Sequence, residues 1–379
     1  MKQVNFLIKP ASSLCNMRCR YCFYADAEQH RRPREEVCMT GETVQRLVEA
    51  AGRVLDDGGD AGFAFQGGEP TLQPLEFYES FVRACEPLRR RGIHLHLAMQ
   101  TNGYALTPEW AEFLAREHVL TGVSVDGTGQ LHDRYRPDAG GNGTYARVTE
   151  HVRMLIRRGV DVNLLCVVHR ETAGMGREVY ESLKTLGTRY IQFIPCLDPL
   201  EEERGSMPWS LTAEDYGRFL SDTFVCWRQD WKRGEYVSVR MFEDWVHLAM
   251  NQPPSACAAC GACGSYFVVE ADGSLYPCDF YALDQWYMGR IGERSLAGLP
   301  GKRPMRDFVE RAQVKPGACR TCRYWVLCRG GCPRDWTGTP PAHVNAWCDA
   351  YRKVFSAHAD EIMEMAGAEW QARQAAMNR

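Results

Sequence analysis

Val4-Asn5-Phe6-Leu7-Ile8, followed after a six-residue gap by Cys15-Asn16-Met17-Arg18-Cys19-Arg20-Tyr21-Cys22, is the stretch that decides how this chain folds. The first five residues are a short apolar strand. The next segment carries three cysteines in the order Cys-x3-Cys-x2-Cys, with an aromatic residue just before the last. A cubane [4Fe–4S] cluster takes four cysteines. With three thiolates one iron keeps an open position, as the metal of a catalytic site does, and can bind a substrate or cofactor. A zinc knuckle is the competing reading of the same spacing.

Working outward, the strand opens a series. Strand patterns recur at Val4–Lys9, Gly62–Gln66, His94–Gln100, Gly122–Asp126, Asp161–His169 and Tyr190–Cys196, each short, apolar and rich in β-branched or aromatic residues. Helical patterns lie between them. One starts after Thr40, a plausible N-cap, and repeats apolar residues at Val44, Leu47, Val48, Ala51, Val54 and Leu55. Others are expected over Leu75–Arg91, Pro108–Glu117, Tyr145–Arg158, Arg177–Leu186 and Ala213–Arg233. Six alternating units predict an α/β fold, an open, partial (β/α)6 barrel resembling a TIM barrel, over residues 1–235. Ligands of such folds gather at the C-terminal ends of the strands, where the polar motifs of this chain fall.

Residues 236–379 read differently. Asn251 to Ser255 form a loop, and cysteines become dense after it. Tyr266–Glu270, a turn at Asp272-Gly273 and Ser274–Tyr276 signal a β-hairpin. Little strand pattern follows Gly292, and an amphipathic helix is expected from His358.

The composition narrows the function. The chain has 379 residues, 45% of them hydrophobic, with 45 Lys plus Arg against 48 Asp plus Glu, a net charge of −3. That balance gives no electrostatic case for nucleic acid or an anionic membrane. No spanning segment and no signal peptide are expected. The 17 cysteines therefore point to metal ligation rather than disulfides, in a cytoplasmic, oxygen-poor setting.

The second strand runs into Gln66-Gly67-Gly68-Glu69-Pro70, where two glycines permit close backbone approach to a ligand and an acid stands beside them. Gln100-Thr101-Asn102-Gly103 ends the third strand and Ser124-Val125-Asp126-Gly127 the fourth. Behind the cysteine triad, these segments resemble those of radical S-adenosylmethionine (SAM) enzymes. The resemblance implies that the open iron of the Cys15–Cys19–Cys22 cluster chelates SAM and cleaves it reductively to a 5′-deoxyadenosyl radical. It also implies that Tyr21, Gly67, Gly68, Glu69, Asn102, Ser124 and Arg136 bind the cofactor. Glu69 would face the methionyl amino group and Arg136 the carboxylate. As plain sequence, Asn102 and Ser124 read equally well as turn residues, and Arg136 as a solvated loop arginine.

Cys319-x2-Cys322-x5-Cys328-x3-Cys332, with Cys348 after it and Cys257, Cys260, Cys263 and Cys278 before it, resembles the SPASM extension of peptide-modifying radical SAM enzymes. That extension implies two auxiliary [4Fe–4S] clusters, hence three clusters in all. Eight ligands are needed and nine candidates exist.

A closer resemblance is to the anaerobic sulfatase-maturating enzymes, carried by Leu7-Ile8-Lys9-Pro10-Ala11-Ser12-Ser13, Cys22-Phe23-Tyr24, Ala64-Phe65-Gln66-Gly67-Gly68-Glu69-Pro70-Thr71, Leu165-Cys166-Val167-Val168, Gln192-Phe193-Ile194, Phe267-Val268-Val269-Glu270 and Tyr276-Pro277-Cys278-Asp279-Phe280-Tyr281. It implies one auxiliary cluster on Cys257, Cys263, Cys278 and Cys332 and another on Cys319, Cys322, Cys328 and Cys348. Cys260, a competitor of Cys263, is then spare, and with Cys38, Cys85, Cys166, Cys196 and Cys226 lies outside the clusters. Most of these six are expected to be buried small hydrophobes.

The family's reaction oxidises a cysteine or serine of a sulfatase peptide, in a Cys/Ser-x-Pro-x-Arg type motif, to formylglycine. The adenosyl radical takes a hydrogen atom from Cβ, a base takes the thiol or hydroxyl proton, and an electron leaves to an auxiliary cluster; serine then stands as the aldehyde, while the thioaldehyde from cysteine is hydrolysed, water supplying the oxygen and hydrogen sulfide leaving. Asp279 matches the family's base, and Tyr24 and Gln66 are expected to line the substrate pocket. An external low-potential reductant such as flavodoxin or ferredoxin is implied. The rival readings are a maturase that forms thioether or carbon–carbon crosslinks, a non-catalytic iron–sulfur electron carrier, and a structural zinc protein.

Overall fold

The computed structural model describes residues 1–33, 36–340 and 342–377. Its main sheet has nine strands: β1 (Gln3–Ile8), β2 (Asp60–Phe65), β3 (His94–Thr101), β4 (Leu120–Ser124), β5 (Val162–Val168), β6 (Tyr190–Pro195), β7 (Ser238–Val239), β8 (Phe267–Val269) and β9 (Leu275–Tyr276). Their order is β7-β6-β5-β4-β3-β2-β1-β8-β9. The six expected βα units are present, all parallel, in sequential order. Helices fill the crossovers: α1 (Phe23–Gln29), α2 (Gly41–Val54), α3 (Leu75–Ala84), α4 (Pro108–Arg116), α5 (Tyr145–Arg157), α6 (Gly176–Lys184) and α7 (Ala213–Lys232). α2 begins as its sequence predicts, with Thr40 accepting from the Thr43 amide. It then buries Val44, Leu47, Val48, Ala51 and Val54 against the sheet.

Several elements differ from the sequence pattern. The helix expected over Leu75–Arg91 breaks at Cys85, because Pro87 in the first turn of Glu86–Arg90 has no N–H to continue it. β7 adds a two-residue parallel strand beyond β6, followed by α8 (Arg240–Ala249). The cysteine-rich hairpin β8–β9 forms as expected, but it is not a sheet of its own. β8 pairs in parallel with β1, Phe6 opposite Phe267 and Ile8 opposite Val269, so the sheet runs on past residue 235 at both edges.

Beyond the hairpin lie α9 (Met305–Gln313) and a two-residue ribbon, β10 (Trp336–Thr337) with β11 (Val344–Asn345). The last helix, α10 (Cys348–Met377), starts ten residues before His358. Its buried stripe begins at Ala350 and continues through Val354, Phe355, Ile362 and Met365, and this face packs along α7. That early start places Cys348 in the first turn.

Candidate active site

The triad loop is zipped to the loop after β2. The Gly68 amide donates to Ser12 O at 2.8 Å and the Glu69 amide to Leu14 O at 2.7 Å. Both glycines are needed there. Gly67 has φ +129°, and a Cβ on Gly68 would lie 2.1 Å from Leu14 O. Glu69 is fully buried. It accepts from the Thr71 amide and hydroxyl (3.0 and 2.7 Å), from Thr101 Oγ1 (2.7 Å) and from the Asn102 amide (2.7 Å). Burial pushes its carboxyl up despite those donors. Glu69 thus fastens the end of β3 to the glycine loop. Asn102 in turn reaches the triad loop, with Nδ2 2.7 Å from Asn16 Oδ1 and 3.6 Å from Cys15 Sγ. Ser124 accepts from Gln100 Nε2 at 3.2 Å.

Tyr21 fixes the other side of the loop. Its buried hydroxyl donates to Asp126 Oδ2 and accepts from Arg136 Nη1 at 3.0 Å. Asp126 also accepts from the Val167 amide at 3.0 Å. Arg136 is therefore not a solvated loop residue: it is buried, and its Nε has no acceptor among the described residues. Asp126, to which the sequence motif assigns no role, is the hub of this network. An aspartate ending a buried strand two residues after Ser124 was the available signal.

A second network surrounds Asp279. The parallel register opposes Phe65, Ile8 and Val269 across β2, β1 and β8. The next residue on each strand is Gln66, Lys9 and Glu270, and they form a polar row at the strand ends. Asp279 closes on it from the turn after Cys278. Its Oδ1 lies 3.0 Å from Lys9 Nζ, an ion pair whose angles fall short of a hydrogen bond. Its Oδ2 accepts from Tyr24 OH at 2.6 Å and from Gln66 Nε2 at 3.5 Å, and Gln66 also donates to Tyr24 OH. Lys9 Nζ lies 3.3 Å from Glu270, which also pairs with Arg31. Burial alone would push the Lys9 ammonium down, but Asp279 and Glu270 together lift it above the ordinary lysine value, so it stays charged. For Tyr24, removal from water and then the Asp279 carboxylate hold the phenol protonated. Lys9 ends the first expected strand and carries no expected role there. A lysine immediately after a strand with alternate residues buried is its trace in the sequence.

Eight of the remaining cysteines fall into two rings. Cys257, Cys263, Cys278 and Cys332 line one recess of ≈ 500 Å³ and Cys319, Cys322, Cys328 and Cys348 another of ≈ 410 Å³, both counted to their open mouths. Among the described residues, no three His, Cys, Asp or Glu side chains converge on one ion-sized point. Four thiols around one recess match the four cysteines that hold a cubane cluster. Cys260 lines neither recess. It is exposed, with Sγ toward the Pro254 and Ala256 carbonyls at 3.9 and 3.5 Å. Cys85, Cys166, Cys196 and Cys226 are buried as expected, while Cys38 is exposed.

The radical SAM superfamily model matches residues 10–183, and the SPASM iron–sulfur cluster-binding domain matches 257–323. A cysteine-type anaerobic sulfatase-maturating enzyme of Clostridium novyi is 35% identical over 97% of this chain and 98% of its own. The chain belongs to the anaerobic sulfatase-maturating enzymes. A serine-type member from Klebsiella aerogenes is 30% identical over 93% of this chain and 84% of its own. The solved structure of native anSMEcpe with bound AdoMet and Kp18Cys peptide superposes with a TM-score of 0.91 at 33% identity, covering 97% of this chain and 99% of that one. This sulfatase-maturating enzyme is thus a radical SAM enzyme with SAM and [4Fe–4S] clusters as cofactors, which sets aside the electron-carrier and zinc readings. Among its described residues no helix is long and apolar enough to cross a membrane.

Proposed function

We propose that the chain oxidises a cysteine of a sulfatase peptide, within a Cys-x-Pro-x-Arg type motif, to formylglycine, and that Asp279 is the base. The observation that carries this is the hydrogen bond from Tyr24, two residues past Cys22, to Asp279, one residue past Cys278. It ties the loop of the triad to the turn of an auxiliary ligand, so that one carboxylate stands between them. The preference for cysteine rests on the 35–36% identity to cysteine-type relatives against 26–30% to serine-type ones.

When bound, SAM on the triad cluster supplies the hydrogen-abstracting radical, and the auxiliary clusters supply an electron acceptor. The chain's own residues do the rest. Cys15, Cys19 and Cys22 hold the first cluster. The Gly67-Gly68 backbone, with Glu69 and Asn102 fastened behind it, forms one wall of the cofactor site, and Tyr21 and Ser124 form the other. The buried, unpartnered Nε of Arg136 suits the cofactor carboxylate. Lys9 keeps a positive charge 3.0 Å from Asp279, and Tyr24 and Gln66 aim the other carboxylate oxygen. Asp279 takes the substrate's thiol proton as Cβ loses its hydrogen. Functionally the chain divides at residues 235 and 236, radical generation before and electron and proton removal after. Its setting is an oxygen-poor cytoplasm that supplies a low-potential reductant such as flavodoxin or ferredoxin.

The test is anaerobic reconstitution with SAM and paired Cys-x-Pro-x-Arg and Ser-x-Pro-x-Arg peptides, read by mass spectrometry for the aldehyde. Asp279→Asn is expected to keep SAM cleavage and iron content while slowing aldehyde formation about 10²–10⁴-fold, the usual contribution of a positioned base. Wild-type rates in that variant refute the role of Asp279. Crosslinked peptide in place of aldehyde refutes the reaction.

A further inference from the structure

α9 lies against the loop that carries Cys263: a Cβ on Gly264 would meet Val309 Cγ2 at 3.0 Å and Met305 Cε at 3.2 Å. From the last turn of this helix, Arg311 lays its guanidinium over three rings. Its central carbon is 3.9 Å from the centroid of Tyr281, 4.5 Å from Phe308 and 4.8 Å from Trp286. Tyr281 and Phe308 line the Cys257–Cys263–Cys278–Cys332 recess. Arg311 Nε and Nη2 are buried, and neither has a hydrogen-bond partner among the described residues. Lys315 lines the same recess and donates to Gly261 O at 2.6 Å. A Cβ on Gly330 would meet Lys315 Cδ at 3.4 Å and Cys319 Sγ at 3.6 Å, so the lysine stem also lies against the other ring. Arg311, on the helix packed against Gly264, and Lys315, bonded to Gly261 O, thus both stand on the Cys263 side of the recess.

We propose that Arg311 and Lys315 are fixed positive charges that raise the reduction potential of the cluster held by Cys257, Cys263, Cys278 and Cys332. The proposal rests on the reading of those four thiols as cluster ligands. A cluster on four thiolates is anionic and gains a further negative charge when reduced. A desolvated cation beside it stabilises the reduced form more than the oxidised one, and local charge and hydrogen bonds to sulfur are what tune such clusters. Arg311, stacked over two rings that line the recess, supplies the charge. Lys315, between the rings, acts on both clusters.

The test is an EPR-monitored redox titration of the full-length reconstituted enzyme, with SAM present to distinguish the signal of the triad cluster. Arg311→Met keeps the apolar packing and removes the charge; Arg311→Lys keeps the charge. In Arg311→Met the reduction equilibrium of one auxiliary cluster is expected to fall at least tenfold, about 59 mV for a one-electron couple. The triad cluster is expected to be unmoved, and Arg311→Lys to recover most of the shift. Unchanged potentials at full iron content overturn the proposal, as does Arg311→Lys behaving like Arg311→Met. Should Arg311→Met fail to hold its cluster, Lys315→Met decides: both auxiliary potentials fall, or the proposal is wrong. Iron content distinguishes this failure from that of the underlying reading, since a wild-type protein without two auxiliary signals refutes the ligand assignment itself.

Discussion

Gly68→Ala is the sharpest probe of how the radical-generating loop is held. The added methyl would sit 2.1 Å from Leu14 O and 2.5 Å from Ser13 C. Both are backbone atoms, so no side-chain rotation relieves the contact. The triad loop must retreat, and its two rungs, Gly68 N to Ser12 O and Glu69 N to Leu14 O, stretch or break at about 1 kcal/mol each. Overpacking adds about 1–3 kcal/mol. The combined cost, about 3–5 kcal/mol, falls on a loop whose next residue is Cys15. Even about 3 kcal/mol is a factor of about 100 in the population of the competent geometry. The variant is expected to lose most of its triad cluster, seen as a drop in iron per chain and an approximately 100-fold fall in 5′-deoxyadenosine release. Both auxiliary EPR signals are expected to persist. Gly41→Ala, where nothing lies within 4 Å of the added methyl, is the control. SAM cleavage within threefold of wild type in Gly68→Ala would refute the claim that the Ser12–Leu14 to Gly68–Glu69 rungs position the triad.

Two further outcomes follow from the cysteine rings and from α1. Cys260→Ala is expected to bind iron and sulfide at the wild-type level, whereas Cys263→Ala loses one auxiliary cluster; the reverse result would reassign the fourth ligand of that ring. His30, past the end of α1, donates from Nδ1 to Asp26 O at 2.8 Å and pairs with the Asp26 and Glu201 carboxylates. The Asp26 backbone contact, then the two carboxylates, raise its pKa above the ordinary histidine value. This tie between α1 and the loop after β6 is therefore fully present below about pH 6.5, the unfolded value, and is lost as pH rises through the raised folded value. Exchange protection of the Leu200 amide, which donates to Asp26 Oδ2 at 3.0 Å, is expected to fall over that window after correction for intrinsic rates. A pH-independent protection factor would refute the link.

What the chain determined by local sequence is what can be read within a few residues. The triad sets three thiols in an eight-residue loop. Gly67-Gly68 marks a close backbone approach, and the alternation of strand and helix patterns counts the βα units. These depend on contacts near in sequence and on periodicity, so they are legible before any folding is considered. The tertiary structure alone decided which distant residues meet. Strand patterns do not say that β8 lies beside β1, yet that parallel register sets Lys9 next to Glu270 and brings Asp279 onto both Lys9 and Tyr24. Arg136 reads as a loop residue until the chain after β4 folds it onto Tyr21. The nine C-terminal cysteines are near-equivalent as a string; only the packing of α9, α10 and the hairpin gathers eight of them around two recesses and leaves Cys260 facing carbonyls. Pairings across hundreds of residues are set by the packing of whole elements, whose register and neighbours a one-dimensional pattern does not carry.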